Sequence, residues 1–68
     1  MNQDEVLAIV RAHPGHTATE LADLVEHDSA WARSIYRQAL YGNLVRLRKY
    51  DLVERRANNG RIEWRATE

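Results

Sequence analysis

The chain has 68 residues, with ten Lys/Arg against ten Asp/Glu and no cysteine. That length holds one domain, too small for a sizeable internal cavity, and the absence of cysteine excludes disulfides, thiolate zinc sites and cysteine nucleophiles. The zero net charge hides a split: residues 1–28 carry one arginine against six acidic residues, net −5, and residues 29–68 carry nine basic against four acidic, net +5. Such polarity suits one face to an anion and leaves another to face away from it or to meet a basic partner. The polar, acidic residues after Met1 and the lack of a long apolar run predict neither a secretory signal nor a membrane span, which fits a cytoplasmic protein.

Taken in order, the first helix is predicted over about residues 3–13. Asn2 is its N-cap, Glu5 stands at the capping-box spacing, and Val6, Leu7, Ile9 and Val10 form the buried side. His13-Pro14-Gly15 ends it, and His16-Thr17-Ala18 reads as a short extended piece. Thr17 and Glu20 repeat the capping box before Leu21, Leu24 and Val25, which predicts a second helix over about 18–26. Asp28 or Ser29 then caps a third helix, about 29–50.

That third segment carries two apolar lines. Trp31, Ile35 and Ala39 define one, Leu40, Leu44 and Leu47 the other, with the helix-weakening Gly42 near the changeover. One long helix packing on different neighbours at its two ends satisfies the pattern, and so do two shorter helices. Trp31 is expected in the core alongside Ile35; left without a neighbour it would mark a dimer or partner surface.

The remainder, about 52–66, is predicted as a β-hairpin. Asn59-Gly60 is the favoured two-residue type I′ loop, so Asn58 faces Arg61, Ala57 faces Ile62, Arg56 faces Glu63, Arg55 faces Trp64 and Glu54 faces Arg65. This register gathers Val53, Ala57, Ile62, Trp64 and Ala66 on one face with Arg55, and sets opposite charges across the other. Trp64 is expected to be a core anchor with Arg55 lying across its ring, and Arg56 and Arg65 to pair with Glu63 and Glu54.

Three stretches carry a family resemblance. Thr17-Ala-Thr-Glu-Leu-Ala-Asp-Leu, Ala39-Leu-Tyr-Gly-Asn-Leu-Val-Arg-Leu and Asp51-Leu-Val-Glu-Arg-Arg follow one another in the order of a winged helix-turn-helix domain. They resemble its T-x-x-E-L-A helix, its recognition helix and its G-L-V-E-R step into the wing, with Asp51 where the family prefers Gly. With the hairpin, the resemblance spans almost the whole chain. About two extra helical turns, Asp28 to Ile35, separate the first two stretches relative to a compact member.

The resemblance implies a mainly α fold of three helices with a C-terminal β-hairpin wing, in a single domain over 1–68. It also implies binding of double-stranded DNA in transcriptional regulation, with the third helix in the major groove and the wing on the backbone. The family's recognition positions fall on Arg37, Gln38, Ala39, Tyr41, Gly42 and Asn43, with Arg46 on phosphate and Arg33 in the extension. Asn58, Asn59 and Arg61 at the hairpin tip are the wing candidates, since Arg61 is free in the predicted register. The alternative is a winged helix used as a protein-interaction module, with a homodimer or protein partner seated on residues 1–36.

Nothing points to an enzyme. His13, His16 and His27 lack the carboxylate or thiolate neighbours that would complete a metal site, and no nucleophile turn, phosphate loop or paired acids are present. No cofactor, metal or small-molecule ligand is expected.

Overall fold

A computed structural model describes residues 1–67. It is a small α+β protein with three helices and a two-stranded antiparallel hairpin at its C-terminus: α1 (Gln3–Ala12), α2 (Ala18–Ala22), α3 (Ala30–Lys49), β1 (Val53–Asn58) and β2 (Arg61–Ala66).

Side-chain caps set the helix starts. The Asn2 carboxamide oxygen accepts from the Glu5 amide at 2.9 Å. Thr17 and Glu20 complete a reciprocal box: Thr17 Oγ1 accepts from the Glu20 amide at 3.1 Å, and the Glu20 carboxylate accepts from the Thr17 amide at 2.9 Å. For α3 the cap is Ser29, whose hydroxyl accepts from the Ala32 amide at 3.1 Å. Each bond satisfies an amide that the helix geometry leaves without a partner.

The second helix is shorter than its apolar spacing predicts. It ends at Ala22 rather than near Glu26, and Leu24 and Val25 are 45% and 44% exposed. His27 Nε2 lies 2.8 Å from the Ala22 carbonyl, so the end of α2 is closed by a side chain instead of another turn. Residues 23–28 are then free to turn the chain into α3.

Of the two arrangements open for the third segment, the structure has one continuous helix of 20 residues, and Gly42 does not interrupt it. At about 1.5 Å per residue α3 is roughly 30 Å long and α1 half that, so α1 and α2 cannot cover both ends of it. Leu40, Leu44 and Leu47 are at most 1% exposed, whereas Trp31 is 76% exposed and Ile35 46%. The core place expected for Trp31 is therefore wrong. Its part of α3 extends past the helices that would have buried it.

A left-handed residue ends α3. Asp51 has φ 61°, the Leu52 amide donates to the Leu47 carbonyl at 3.0 Å, and the Asp51 amide donates to the Arg48 carbonyl at 3.0 Å. These two bonds form a Schellman motif, in which glycine is usual and Asp or Asn are tolerated.

The hairpin has the register that its turn chemistry requires. Asn58 pairs with Arg61, Ala57 with Ile62, Arg56 with Glu63, Arg55 with Trp64, Glu54 with Arg65 and Val53 with Ala66. Asn59 and Gly60 have φ 52° and 83°, the positive values of a type I′ turn. The outer edge of β2 takes up the extended piece before α2. The Trp64 amide donates to the His16 carbonyl at 3.0 Å, and the Gly15 amide donates to the Trp64 carbonyl at 2.9 Å.

Trp64, 1% exposed, closes a core made with Val6, Leu7 and Val10 of α1, Leu21 and Ala22 of α2, the three α3 leucines and Val53. Its ring neighbour is Tyr41, edge-on at 6.1 Å, and not Arg55, which makes no ring contact among the described residues. No helix among the described residues is long and apolar enough to cross a membrane.

Candidate nucleic-acid interface

The C-terminal half of α3 is fixed by its leucine stripe, and this decides what the rest of the helix presents. Arg37, Gln38 and Tyr41 line an open hollow with Ala18 and Thr19 at the start of α2. Arg37 and Gln38 are exposed, and Tyr41 is half-exposed with its ring against Trp64. The hollow thus joins three of the residues singled out in the sequence to the helix that precedes them in space.

A second, separate recess lies on the hairpin side of α3. Val45, Arg48 and Lys49 face Val53, Glu54 and Arg55 across it. Arg48, Lys49 and Arg55 make no ion pair among the described residues. Arg55 was not among the site candidates because its register position suggested a place over Trp64. Only the packing of β1 beside α3 brings it to Arg48 and Lys49, and no local sequence signal carries that information.

Three of the expected contacts are already committed inside the molecule. Arg61 is not free at the tip: its Nη2 and Nη1 donate to the Glu20 carboxylate at 2.8 and 3.1 Å, and its Nε donates to Glu63 at 3.3 Å. That arrangement also removes Glu63 from Arg56, so the cross-strand pairs Arg56–Glu63 and Glu54–Arg65 are neighbours in register but not ion pairs. The Glu63 side chain is only 14% exposed. Arg33 holds the Asp23 carboxylate through two bonds of 2.6 and 2.9 Å. Asn43, half-buried, donates to the Ala39 carbonyl of its own helix at 2.9 Å.

Arg46, Asn58 and Asn59 are exposed and make no side-chain bond among the described residues. At about 100° per residue, Arg46 lies roughly 160° round the helix from Leu44, on the outer side of α3.

The Glu20–Arg61 pair links the α2 capping box to the hairpin tip. The Arg61 hydrogen bonds, with help from the Thr17 amide, hold the Glu20 carboxyl at about 2, far below its ordinary 4.5. The Asp23 carboxyl is likewise held below its usual value by its bonds to Arg33. A lowered folded-state value means that the stabilisation is complete above about pH 4.5 and is lost as pH falls toward 2. Melting temperatures of the unaltered chain and of Glu20→Gln should therefore differ most near neutral pH and converge toward pH 2. Curves that stay parallel would show that the pair does not carry this pH dependence.

Comparison of the chain with protein-family models, with curated proteins and with solved structures gives no match. The site's meaning rests on its own geometry and on the residue patterns. Among the described residues no group of three or more His, Cys, Asp or Glu side chains could hold a metal ion.

Proposed function

We propose that this chain is a winged helix-turn-helix protein that binds double-stranded DNA through α3 and the adjoining hairpin. The observation that carries the reading is the Arg37–Gln38–Tyr41 hollow beside the start of α2, with a separate recess on the hairpin side of α3 where Arg48, Lys49 and Arg55, beside Asp51 and Glu54, make no ion pair among the described residues. In that reading Arg37 and Gln38 meet base edges in the major groove, since Arg forms two-pronged bonds with guanine and Gln with adenine. Arg48, Lys49, Arg55 and Arg46 meet phosphates, which position the protein without reading sequence.

The split of charge supports the same orientation. Six acidic residues lie within residues 1–28, yet Glu20 and Asp23, those nearest the hollow in sequence, are each covered by an arginine. Arg61 then acts as an anchor that neutralises Glu20 at the edge of the DNA-facing surface. Regulation of transcription follows as the use of such a module, with residues 1–36 left for protein contacts.

Counterion release gives the test. Duplex affinity should fall linearly on a log–log plot against salt, with a slope of about −0.9 for each phosphate neutralised. Fluorescence anisotropy of labelled duplexes at several salt concentrations measures it. Salt-independent binding, or none at low salt, would sink the DNA reading and favour a protein-interaction module.

A further inference from the structure

The outer face of α3 holds a pattern that the chain's own fold leaves unexplained. Trp31 and Ile35, one turn apart, are 76% and 46% exposed. Gly42 follows two turns after Ile35 on the same side, and a Cβ placed there would meet nothing within 4 Å. Glycine inside a helix is unfavourable relative to alanine, and neither a turn nor a close intramolecular neighbour requires it here. Close approach of another backbone would.

The two ends of this face differ in charge. Glu26 and Asp28 border the groove that contains Trp31 and Ile35. Arg46 and Lys49 stand at the opposite end, neither in an ion pair among the described residues. The acidic border repels phosphate, so a nucleic acid is a poor occupant for the Trp31 end. A basic helix is a good one, and the other end of α3 is such a helix.

We propose that this face pairs antiparallel with the same face of a second copy of the chain. One register satisfies every feature at once. Trp31 packs on the partner's Arg46, Ile35 sits over the partner's Gly42, and Gln38 meets the partner's Ala39 beside the two-fold axis. Trp31 then gains a cation over its ring, the acidic border meets Arg46 and Lys49, and the small residues let the helices approach closely. The contact runs about four helical turns, at the low end of interface sizes, and the dimer is accordingly weak and exchanging.

The pairing does not rest on the DNA reading. Where both hold they exclude each other, because Gln38, Arg46 and Lys49 take part in both.

Sedimentation velocity of the full chain over a concentration series, without DNA, is the test. The unaltered chain should show a reversible monomer–dimer equilibrium. Trp31→Glu and Gly42→Leu should each weaken it by at least about tenfold, a loss of roughly 1.4 kcal/mol, while circular dichroism shows helix content unchanged. Arg46→Glu should weaken it too, and adding Asp28→Arg to that variant should restore it. A chain that stays monomeric at millimolar concentration overturns the proposal. So does a dimer indifferent to both Trp31→Glu and Gly42→Leu.

Discussion

Trp64→Ala is expected to remove a large part of the chain's folding stability. Large-to-small changes at a buried aromatic cost about 3–5 kcal/mol, made up of lost transfer energy and the cavity left behind. A domain of 68 residues has a total stability of roughly 3–10 kcal/mol at ordinary per-residue values. Trp64 sits where α1, α3 and both strands meet, and its backbone also holds Gly15 and His16 to the edge of β2. Small helices of 10 and 5 residues offer little material to collapse into the gap. Urea unfolding followed by circular dichroism measures the loss.

The indole N–H of Trp64 has no hydrogen-bond partner among the described residues. An unpaired buried donor costs about 1–3 kcal/mol, so Trp64→Phe removes a penalty along with part of the ring. That variant should lose less than half of what alanine loses. Equal losses would mean that the N–H is satisfied in solution, and a loss below about 1 kcal/mol for alanine would mean that the residue is not the core anchor.

The hairpin was readable because two independent constraints agree. Asn59-Gly60 fixes the turn, and the alternation through Val53, Ala57, Ile62 and Trp64 fixes the faces, so a slip by one residue would violate both. The caps at Asn2, Thr17 and Ser29 were readable for a similar reason, since a side chain three residues from its target amide needs nothing distant. What could not be read was the supply of neighbours. Leu24, Val25, Trp31 and Ile35 have helical spacing as good as that of Leu40, Leu44 and Leu47, but the fold leaves them 44–76% exposed. A periodic stripe states that a face is apolar, not that the fold has something to put against it.

Charge pairing failed in the same way. Arg56 and Glu63 are opposite one another, yet the Glu63 carboxylate goes to Arg61, whose other partner, Glu20, is 41 positions earlier in the chain. Partner choice among several acids depends on which one the tertiary fold delivers. For the candidate site, Arg37, Gln38 and Tyr41 were legible from the order of motifs, while the arrival of Arg55 beside Arg48 and Lys49 was not.

If the chain binds DNA as proposed, Arg37→Ala and Arg46→Ala should have different consequences for that binding. Arg37 lines the hollow with Gln38 and Tyr41, at the end of α3 that the leucine stripe leaves projecting, and it makes no ion pair among the described residues. Its guanidinium is therefore available for a two-pronged contact, whose loss costs about 1–3 kcal/mol at the matching base and little elsewhere. Arg46 lies two and a half turns on and round the outer side of the helix, where a groove-bound helix has come out against the backbone. Its removal should weaken all duplexes alike and reduce the salt slope by about one. Competition binding of each variant against a selected and a scrambled duplex, at protein concentrations low enough to keep the chain monomeric, separates the two. Equal loss on both duplexes for Arg37→Ala would remove it from base reading. Arg33 could not simply take its place, because its guanidinium is spent on Asp23 and releasing it would leave that carboxylate facing the phosphates. The reading surface would then have to shift toward the hairpin, to Arg48, Lys49 and Arg55, and the protein would be a binder of duplex backbone with little sequence preference.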